Sequence, residues 1–336
     1  RDFCLSRGLG DVYKRQVLAG SALLYGGLKD VSTFYQHAMI NHSYIEGAYR
    51  FVDGSMQVSL ELINVIRKNG GTVLNNSEVT RIIVENEKVQ GVVINGEERL
   101  ESESVISGIH PKRMLEILDK SRSIKNAYIS RISSLENTYG IFTLYLVMKK
   151  RSLPYQNRNL YLHGDNEVWY DKQQYPGRTT NCMISMQASS EDSQYAGIVS
   201  ILTPMYMNEL SEWKDTAPER RGESYRKFKR EKAQQILRFI QEHGIDFSDC
   251  IEEIHTTTPL SYRDYTGTEE GSAYGIIKDY KCPQIGFVST RSRLGNLFLT
   301  GQNLNVHGAL GVTLTAMLTC AEFVGQEYLA KKIGNA

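Results

Sequence analysis

The sequence predicts a mixed α/β (α+β) fold, and three stretches of the chain carry that prediction. Residues 55–69 place apolar side chains at helical spacing, and short β-branched runs follow them as far as residue 107. Residues 141–203 contain several apolar strands in succession, which is typical of an antiparallel sheet. Residues 296–333 form a strand, a glycine-rich turn and a helix. We therefore expect two α/β pieces and one sheet domain between them, at 51–110, 291–333 and 111–290 respectively.

Composition and charge exclude several classes of protein. The 336 residues are enough for two domains of about 150 residues each. A formal net charge of +1 gives no reason to expect a nucleic-acid partner. The five cysteines fit neither a zinc site nor a disulfide framework, so we expect free thiols, no metal and a cytoplasmic protein. No run of about 18 apolar residues predicts a membrane-spanning helix.

The first sixteen residues differ from the rest of the chain. RDFCLSRGLGDVYKRQ has no clean helical or strand period, and CLSRGLGDVYKRQ resembles a translated sequencing adapter. We therefore expect residues 1–16 to be non-native and the natural protein to continue upstream of Val17. The alternative is a genuine basic N-terminal arm. Residues 17–50, with a short helix predicted at 31–39, would be a remnant of the substrate domain.

The first α/β piece begins with a helix that has one apolar face. Gly70 and Gly71 end this helix. Asn95-Gly96 lies between two extended runs and predicts a two-residue hairpin turn. The apolar face comprises Val58, Leu62, Val65 and Ile66. Short strands are predicted at 72–74, 78–85, 88–94 and 103–107.

The domain at 111–290 is predicted to combine a sheet with one long helix. The charged helix at 211–243 would dock on the sheet through Leu237, Phe239 and Ile240. Residues 262–280 are rich in glycine and tyrosine and are predicted to form a covering loop with solvated charges at Asp264, Glu269 and Glu270. The strands are predicted at 141–148, 160–162, 180–187 and 197–203.

The chain ends in a strand, a turn and a helix. The strand at 296–300 runs into Gly301, and Gly308 and Gly311 precede a helix predicted at 312–333. A helix N-terminus has unpaired N–H groups and partial positive charge, which suit a phosphate or another group that becomes anionic. The helix is predicted to bury Leu314, Met317, Leu318, Ala321, Val324 and Leu329.

Three strings, in this order, resemble one family of flavoproteins. They are FVDGSMQVSLELINVIRKNGGTVLNNSEVTRIIVENEKVQGVVINGEERLESESVISGIHP, TTTPLSYRDYTGTEEGSAYG and GNLFLTGQNLNVHGALGVTLTAMLTC. They are similar to the phytoene desaturase, carotenoid isomerase and retinol saturase family of FAD-dependent oxidoreductases, and within it to bacterial retinol-saturase-like proteins. The resemblance implies a GR2-type Rossmann-like FAD-binding domain, incomplete here, and an antiparallel-sheet substrate domain with helices.

The resemblance also implies cofactor contacts. The backbone of Val79 would contact the adenine of FAD, and Ser107 and Gly108 would pass close to the diphosphate. Gly301 and Gln302 would lie at the ribityl and phosphate side. Facing the pyrimidine edge of the flavin, at the start of the last helix, would be Gly311, Val312 and Thr313.

Two departures from the family put these contacts in doubt. Many relatives place an acidic residue just after the glycine of the closing strand, where this chain has Gln302-Asn303. No G-x-G-x-x-G follows a strand, and the nearest string, Gly8-Leu9-Gly10, lacks the third glycine. The chain as given is therefore expected to bind FAD weakly or not at all, and to be inactive alone.

The substrate and the reacting residues rest on the resemblance. It implies oxidation, reduction or isomerisation at the C–C or C=C bonds of an apolar polyene such as a carotenoid or retinoid, with peripheral association at the inner face of the membrane. The candidate catalytic residues are His307, Tyr265 and Tyr274, with His37, His42 and His110 as weaker candidates by position. Two alternatives stay open: an amine-oxidase-like flavoprotein with a polar substrate, and a non-catalytic carrier of apolar ligands.

Overall fold

The computed structural model describes residues 10–164, 168, 177–268 and 270–334. In chain order the α-helices are α1 (Gly10–Ala19), α2 (Phe34–Glu46), α3 (Met56–Lys68), α4 (Pro111–Ile117), α5 (Asn126–Ser133), α6 (Gly222–Glu242), α7 (Pro259–Thr266), α8 (Gly308–Val324) and α9 (Gln326–Gly334). The β-strands are β1 (Val79–Glu85), β2 (Lys88–Ile94), β3 (Glu98–Glu101), β4 (Val105–Ser107), β5 (Gly140–Met148), β6 (Asn159–His163), β7 (Asn181–Ala188), β8 (Ala196–Met205), β9 (Ile251–Thr257) and β10 (Leu297–Leu299). Short 3-10 helices cover Gly20–Tyr25, Met207–Trp213 and Ser248–Cys250.

The chain forms two compact units, each built from separate stretches. The first unit comprises Arg1–Gly71, Tyr139–Tyr265 and Glu269–Ala273. The second unit comprises Thr72–Thr138, Thr266–Thr268 and Tyr274–Ala336. The second unit therefore extends beyond the predicted boundary at residue 110, and α3 belongs with the first unit.

The first unit contains a five-stranded antiparallel sheet in the order β6-β7-β8-β5-β9. Strand β5, between β8 and β9, is buried on both faces, since Phe142 and Leu144 on one face and Ile141 on the other are all buried. Burial on both faces explains why its sequence lacks the alternation of a half-exposed strand. Helix α6 contributes Phe239 and Ile240 to the same core, as predicted, and Leu237 packs against its edge.

The second unit contains a hairpin sheet and a separate pair of parallel strands. Strands β1, β2 and β3 pair antiparallel, and β10 pairs parallel to β4. The predicted turn at Asn95-Gly96 is confirmed, because both residues have positive φ (52° and 81°) between β2 and β3. The side chain of Asn296 links the two sheets: it donates to the carbonyl oxygens of Val89 and Glu103 and accepts from the Val89 N–H.

Several predicted elements are wrong in their limits. Residues 72–74 form no strand. The helix predicted at 211–243 is divided into a 3-10 turn and α6, because Pro218 lies between them. Part of the loop predicted at 262–280 is helix α7. Helix α1 runs across Gln16–Val17, while residues 1–9 and 269 lie outside the described residues.

The apolar faces of α3 and α8 are exposed, and for α8 this contradicts the prediction. On α3, Val58, Leu62, Val65 and Ile66 are 41–60% exposed. Helix α8 buries Gly311, Thr315 and Thr319 instead of the predicted Leu314, Leu318 and Val324. The small face of α8 packs inward, where Thr319 donates to the carbonyl oxygen of Leu299 on β10 (2.9 Å). The helix predicted at 312–333 also starts earlier, at Gly308, and Gly325 divides it from α9.

Candidate functional site

The ends of strands β4 and β10 bring three predicted cofactor residues together. Leu299 is the register partner of Ser107, and the Thr300 N–H donates to the Ser107 carbonyl oxygen (2.9 Å). Gly301 follows with φ 97°, and a Cβ there would lie 3.2 Å from the Gly108 carbonyl oxygen. Ser107, Gly108 and Gly301 thus meet at the carboxyl ends of two parallel strands, the edge where open α/β sheets bind ligands.

Two buried polar atoms at this edge have no hydrogen-bond partner among the described residues. They are Ser107 Oγ and Asn303 Oδ1. Both residues are buried, and Asn303 lies two residues beyond Gly301. An unpaired buried polar atom destabilises a fold by about 1–3 kcal/mol, so such atoms call for an explanation. A ligand with hydroxyl groups, such as the ribityl chain of FAD, would supply partners for both.

The N-terminus of α8 is an uncapped helix end beside this turn. His307 occupies the N-cap position, and its side chain makes no capping hydrogen bond. Gly308 has φ 76°, and a Cβ there would meet open space. Because α8 begins at Gly308, its unpaired N–H groups belong to the residues up to Leu310. They carry the partial positive charge of the helix end.

The predicted flavin-edge residues lie further inside α8 than expected. Gly311 is buried, and Val312 and Thr313 are exposed. The Thr313 hydroxyl already donates to the Ala309 carbonyl oxygen (2.8 Å). The backbone N–H groups of Val312 and Thr313 are used within the helix, so backbone donors to a ligand would come from the preceding turn.

Val79 and Gln302 lie in different elements of the second unit. Val79 is the first residue of β1, pairs with Ile94 and packs against the unit's apolar core. Gln302 is half-buried in the turn after Gly301. All eight predicted cofactor residues therefore lie in the second unit. Their contacts with FAD stay a prediction.

Two of the three catalytic candidates are in contact. The rings of Tyr274 and His307 lie edge to face, with centroids 4.9 Å apart and planes at 61°. His307 is buried. Tyr265 belongs to the first unit, on α7, and is 85% exposed. Only Tyr274 and His307 lie in the same unit as the strand ends.

The weaker histidine candidates have structural partners. His110 caps α4 by accepting from the Lys112 N–H at Nδ1 (3.2 Å), so its Nε2 carries the proton and donates to Asn137 Oδ1 (2.9 Å). In the first unit, His37 Nδ1 lies 3.1 Å from the Tyr25 hydroxyl, and burial lowers the pKa of His37. These partners account for His37 and His110 without a role in catalysis.

Sequence reasoning missed the close approach of Gly275 to Asn303. A Cβ on Gly275, which has φ 72°, would collide with Asn303 Oδ1. It also missed Lys278, which is buried and donates to the carbonyl oxygens of Gly286 and Leu304. Gly275 and Asn303 are 28 positions apart in the sequence, and Lys278 and Leu304 are 26 positions apart. Only the density of glycines at 267–275 hints at such an approach.

Two classes of feature are absent from the described residues. No group of three or more His, Cys, Asp or Glu side chains within them could hold a metal ion. Across the same described ranges, every helix is too short or too polar to cross a membrane.

The chain is similar in sequence to proteins named all-trans-retinol 13,14-reductase. The Danio rerio protein is 25% identical over 350 residues, which cover 95% of this chain and 58% of that protein. The Rattus norvegicus protein is 22% identical over 325 residues, covering 88% and 52%. The chain thus spans about half the length of the curated relatives it matches. A Danio rerio protein named inactive all-trans-retinol 13,14-reductase also matches, with 21% identity over 312 residues.

The sequence identity to solved structures is lower. An oxidoreductase from Methanosarcina mazei superposes with a TM-score of 0.48 and 16% identity, covering 76% of this chain and 51% of that one. A geranylgeranyl bacteriochlorophyll reductase-like protein from Thermoplasma acidophilum gives a TM-score of 0.39 and 12% identity, covering 82% and 54%. No protein-family model matches the chain.

Proposed function

We propose that this chain is the larger part of an FAD-dependent oxidoreductase that acts on C–C or C=C bonds of an apolar polyene of the retinoid or carotenoid class. One observation carries the cofactor half of the proposal: the parallel strands β4 and β10 end beside an uncapped helix, with Ser107 Oγ and Asn303 Oδ1 buried and without hydrogen-bond partners in the part of the chain that the structure describes. The substrate half is supported by similarity to all-trans-retinol 13,14-reductases over most of the chain.

The residues of this chain would hold one end of FAD and adjust its charge. Ser107 and Asn303 would exchange hydrogen bonds with ribityl hydroxyls, and Gly301 would let the cofactor approach the backbone. The N–H groups of Gly308–Leu310 would stabilise the negative charge that a reduced flavin acquires. FAD, when bound, supplies hydride transfer. Tyr274 and His307 would border the site and position the flavin or donate a proton.

The diphosphate would need a second binding element. The sequence contains no G-x-G-x-x-G after a strand, so we propose that a longer polypeptide contributes it. The exposed apolar faces of α3 and α8 support this proposal, because exposed contiguous apolar surface marks a site of contact. Association with the inner face of the membrane, from which an apolar substrate would come, is part of the same proposal.

A non-catalytic carrier of apolar ligands is the second candidate. The observation behind it is the match to a protein named as inactive, to which the chain is 21% identical, compared with 25% to a protein named as a reductase. A carrier would bind retinoid without bound flavin.

The coding sequence upstream of Val17 provides the test. We expect it to encode a strand followed by G-x-G-x-x-G, and we expect the longer polypeptide to purify with the visible absorbance of oxidised flavin. Bleaching of that absorbance by a reductant, followed by reoxidation with a retinoid or carotenoid, would support the substrate class. A colourless protein that still binds retinol favours the carrier, and an upstream sequence without the glycine motif contradicts the flavoprotein.

A further inference from the structure

The first unit contains a second candidate site, at the start of α6. A cavity of about 330 Å³ is lined by the first turns of α6 and by one side of α7. Three cations line it, Arg221, Arg226 and Lys229, against two carboxylates, Asp264 and Glu219. The lining therefore carries an excess of positive charge.

Arg221 is the most buried of these cations. Its side chain is only 8% exposed, and it pairs with Asp264 through Nη2 alone. The Nε atom is buried and has no hydrogen-bond partner among the described residues. Its guanidinium also lies over the ring of Tyr225, 5.4 Å from the centroid. A buried guanidinium with unused donors is costly unless an acceptor comes to it.

Asp264 cannot neutralise the cavity, because two arginines share it. Arg263 donates to its Oδ1 atom from Nη2 and Nε (3.0 and 3.1 Å), while Arg221 engages its Oδ2 atom. Both oxygens of the carboxylate are thus occupied by cations. Its single negative charge is shared by two guanidinium groups, so the cluster of Arg221, Arg263 and Asp264 is net positive.

The surroundings of Lys229 show the same excess of positive charge. Burial lowers the pKa of its ammonium group, and the positive charges of Arg221 and Arg226 lower it further. Its ammonium group also lies over the Tyr225 ring, 5.3 Å from the centroid. The backbone at the start of α6 adds partial positive charge, since Arg221 at the N-cap position makes no side-chain cap.

We propose that this cavity binds a phosphate group. Guanidinium groups and a lysine around a concave space form charge-assisted hydrogen bonds with phosphate oxygens, and the volume suits a phosphate with a small substituent. The phosphate could belong to a free phosphorylated compound or to a lipid headgroup. The site is independent of the flavin proposal, because it lies wholly within the first unit.

The test compares variants of one helix with inorganic phosphate as the probe. Phosphate is titrated into the 336-residue chain by calorimetry, with chloride added to hold ionic strength constant. The double variant Arg226→Gln, Lys229→Gln should bind on the order of tenfold more weakly or not measurably. The control Lys227→Gln, Arg230→Gln removes the same charge from exposed positions of α6 outside the cavity and should bind as the unchanged chain does.

Vesicles then distinguish the two sources of phosphate. Flotation with phosphatidic acid vesicles that fails for the cavity variant but not for the control would identify a lipid headgroup. Phosphate binding without vesicle binding would identify a free phosphorylated compound. The proposal is overturned if the unchanged chain shows no saturable phosphate binding, or if both double variants weaken it equally, since that would mean general attraction by the helix.

Discussion

The ring of Tyr274 meets the buried imidazole of His307 edge to face, with centroids 4.9 Å apart, although 32 residues separate them. Such contacts contribute about 0.5–1.5 kcal/mol beyond the area they bury. The contact ties the segment that precedes Gly275 to the N-cap of α8.

This contact predicts the effect of two substitutions at Tyr274. Tyr274→Phe keeps the ring, and we expect the free energy of unfolding to change by less than about 1 kcal/mol. Tyr274→Ala removes the ring and should lower it by about 2 kcal/mol or more. Urea unfolding measures both. Equal destabilisation by the two variants would show that the hydroxyl, rather than the ring, carries the interaction.

Local sequence patterns predicted the elements of this fold, but they did not predict the contacts between residues that are far apart in the sequence. The apolar face of α3 and the Asn95-Gly96 turn depend on neighbours a few residues away, and both helix and turn are confirmed. The pairing of Leu299 with Ser107 joins residues almost 200 positions apart, so no periodicity announces it. The salt bridge between Arg221 and Asp264 is equally invisible in the sequence.

The start of α8 shows why glycines mislead. Gly308 and Gly311 both indicated a turn, yet only Gly308 has a positive φ. Gly311 is helical, and the carbonyl of Val306 leaves no room there for a side chain. Sequence cannot separate a glycine kept for its backbone angle from one kept for a close approach.

Asn303 offers a test of whether the candidate site is built for a ligand. Its buried Oδ1 has no partner among the described residues, so Asn303→Leu should raise the free energy of unfolding of the ligand-free chain by about 1 kcal/mol. If a longer polypeptide binds FAD as proposed, the same change in it should weaken FAD binding about tenfold. The control is Asn305→Leu, in the same loop but half-buried in another cavity. Destabilisation of the free chain by Asn303→Leu would argue that Asn303 is structural.

Gly311 should not tolerate alanine, although alanine favours helices. By propensity alone, Gly311→Ala would stabilise α8 by about 1 kcal/mol. The added Cβ would collide with the Val306 carbonyl, so we expect a loss of about 1–3 kcal/mol instead. Gly308→Ala separates strain from collision, because its Cβ meets open space and only the φ of 76° opposes it. That variant should lose about 1 kcal/mol. Thermal unfolding of the two variants distinguishes these effects, and a stabilised Gly311→Ala chain would contradict the packing described for α8.

Lys278 should make stability depend on pH in the alkaline range. Burial lowers the pKa of its ammonium group from 10.5 to about 8, so between those values the unfolded chain binds more protons than the folded chain. The free energy of unfolding should therefore rise as pH increases from 8 to 10.5, by at most about 3 kcal/mol. Lys278→Met should remove that rise, while leaving the carbonyl oxygens of Gly286 and Leu304 without their donor. Urea unfolding at several pH values measures the slope. A slope that is the same in both proteins would assign the effect to other groups.

The cysteines should differ sharply in reactivity. Burial raises the pKa of the Cys182 thiol to about 12, and only 2% of the residue is exposed. Cys282 and Cys320 are exposed. Because the thiolate is the reactive form, iodoacetamide at pH 8 should modify Cys282 and Cys320 in the folded chain and Cys182 only after denaturation. Mass spectrometry of proteolytic peptides reads out each position, with the urea-unfolded chain as the control in which all three react. Modification of Cys182 at the rate of Cys282 in the folded chain would mean that the sheet between β6 and β8 opens readily, since Cys182 lies on the strand that joins them.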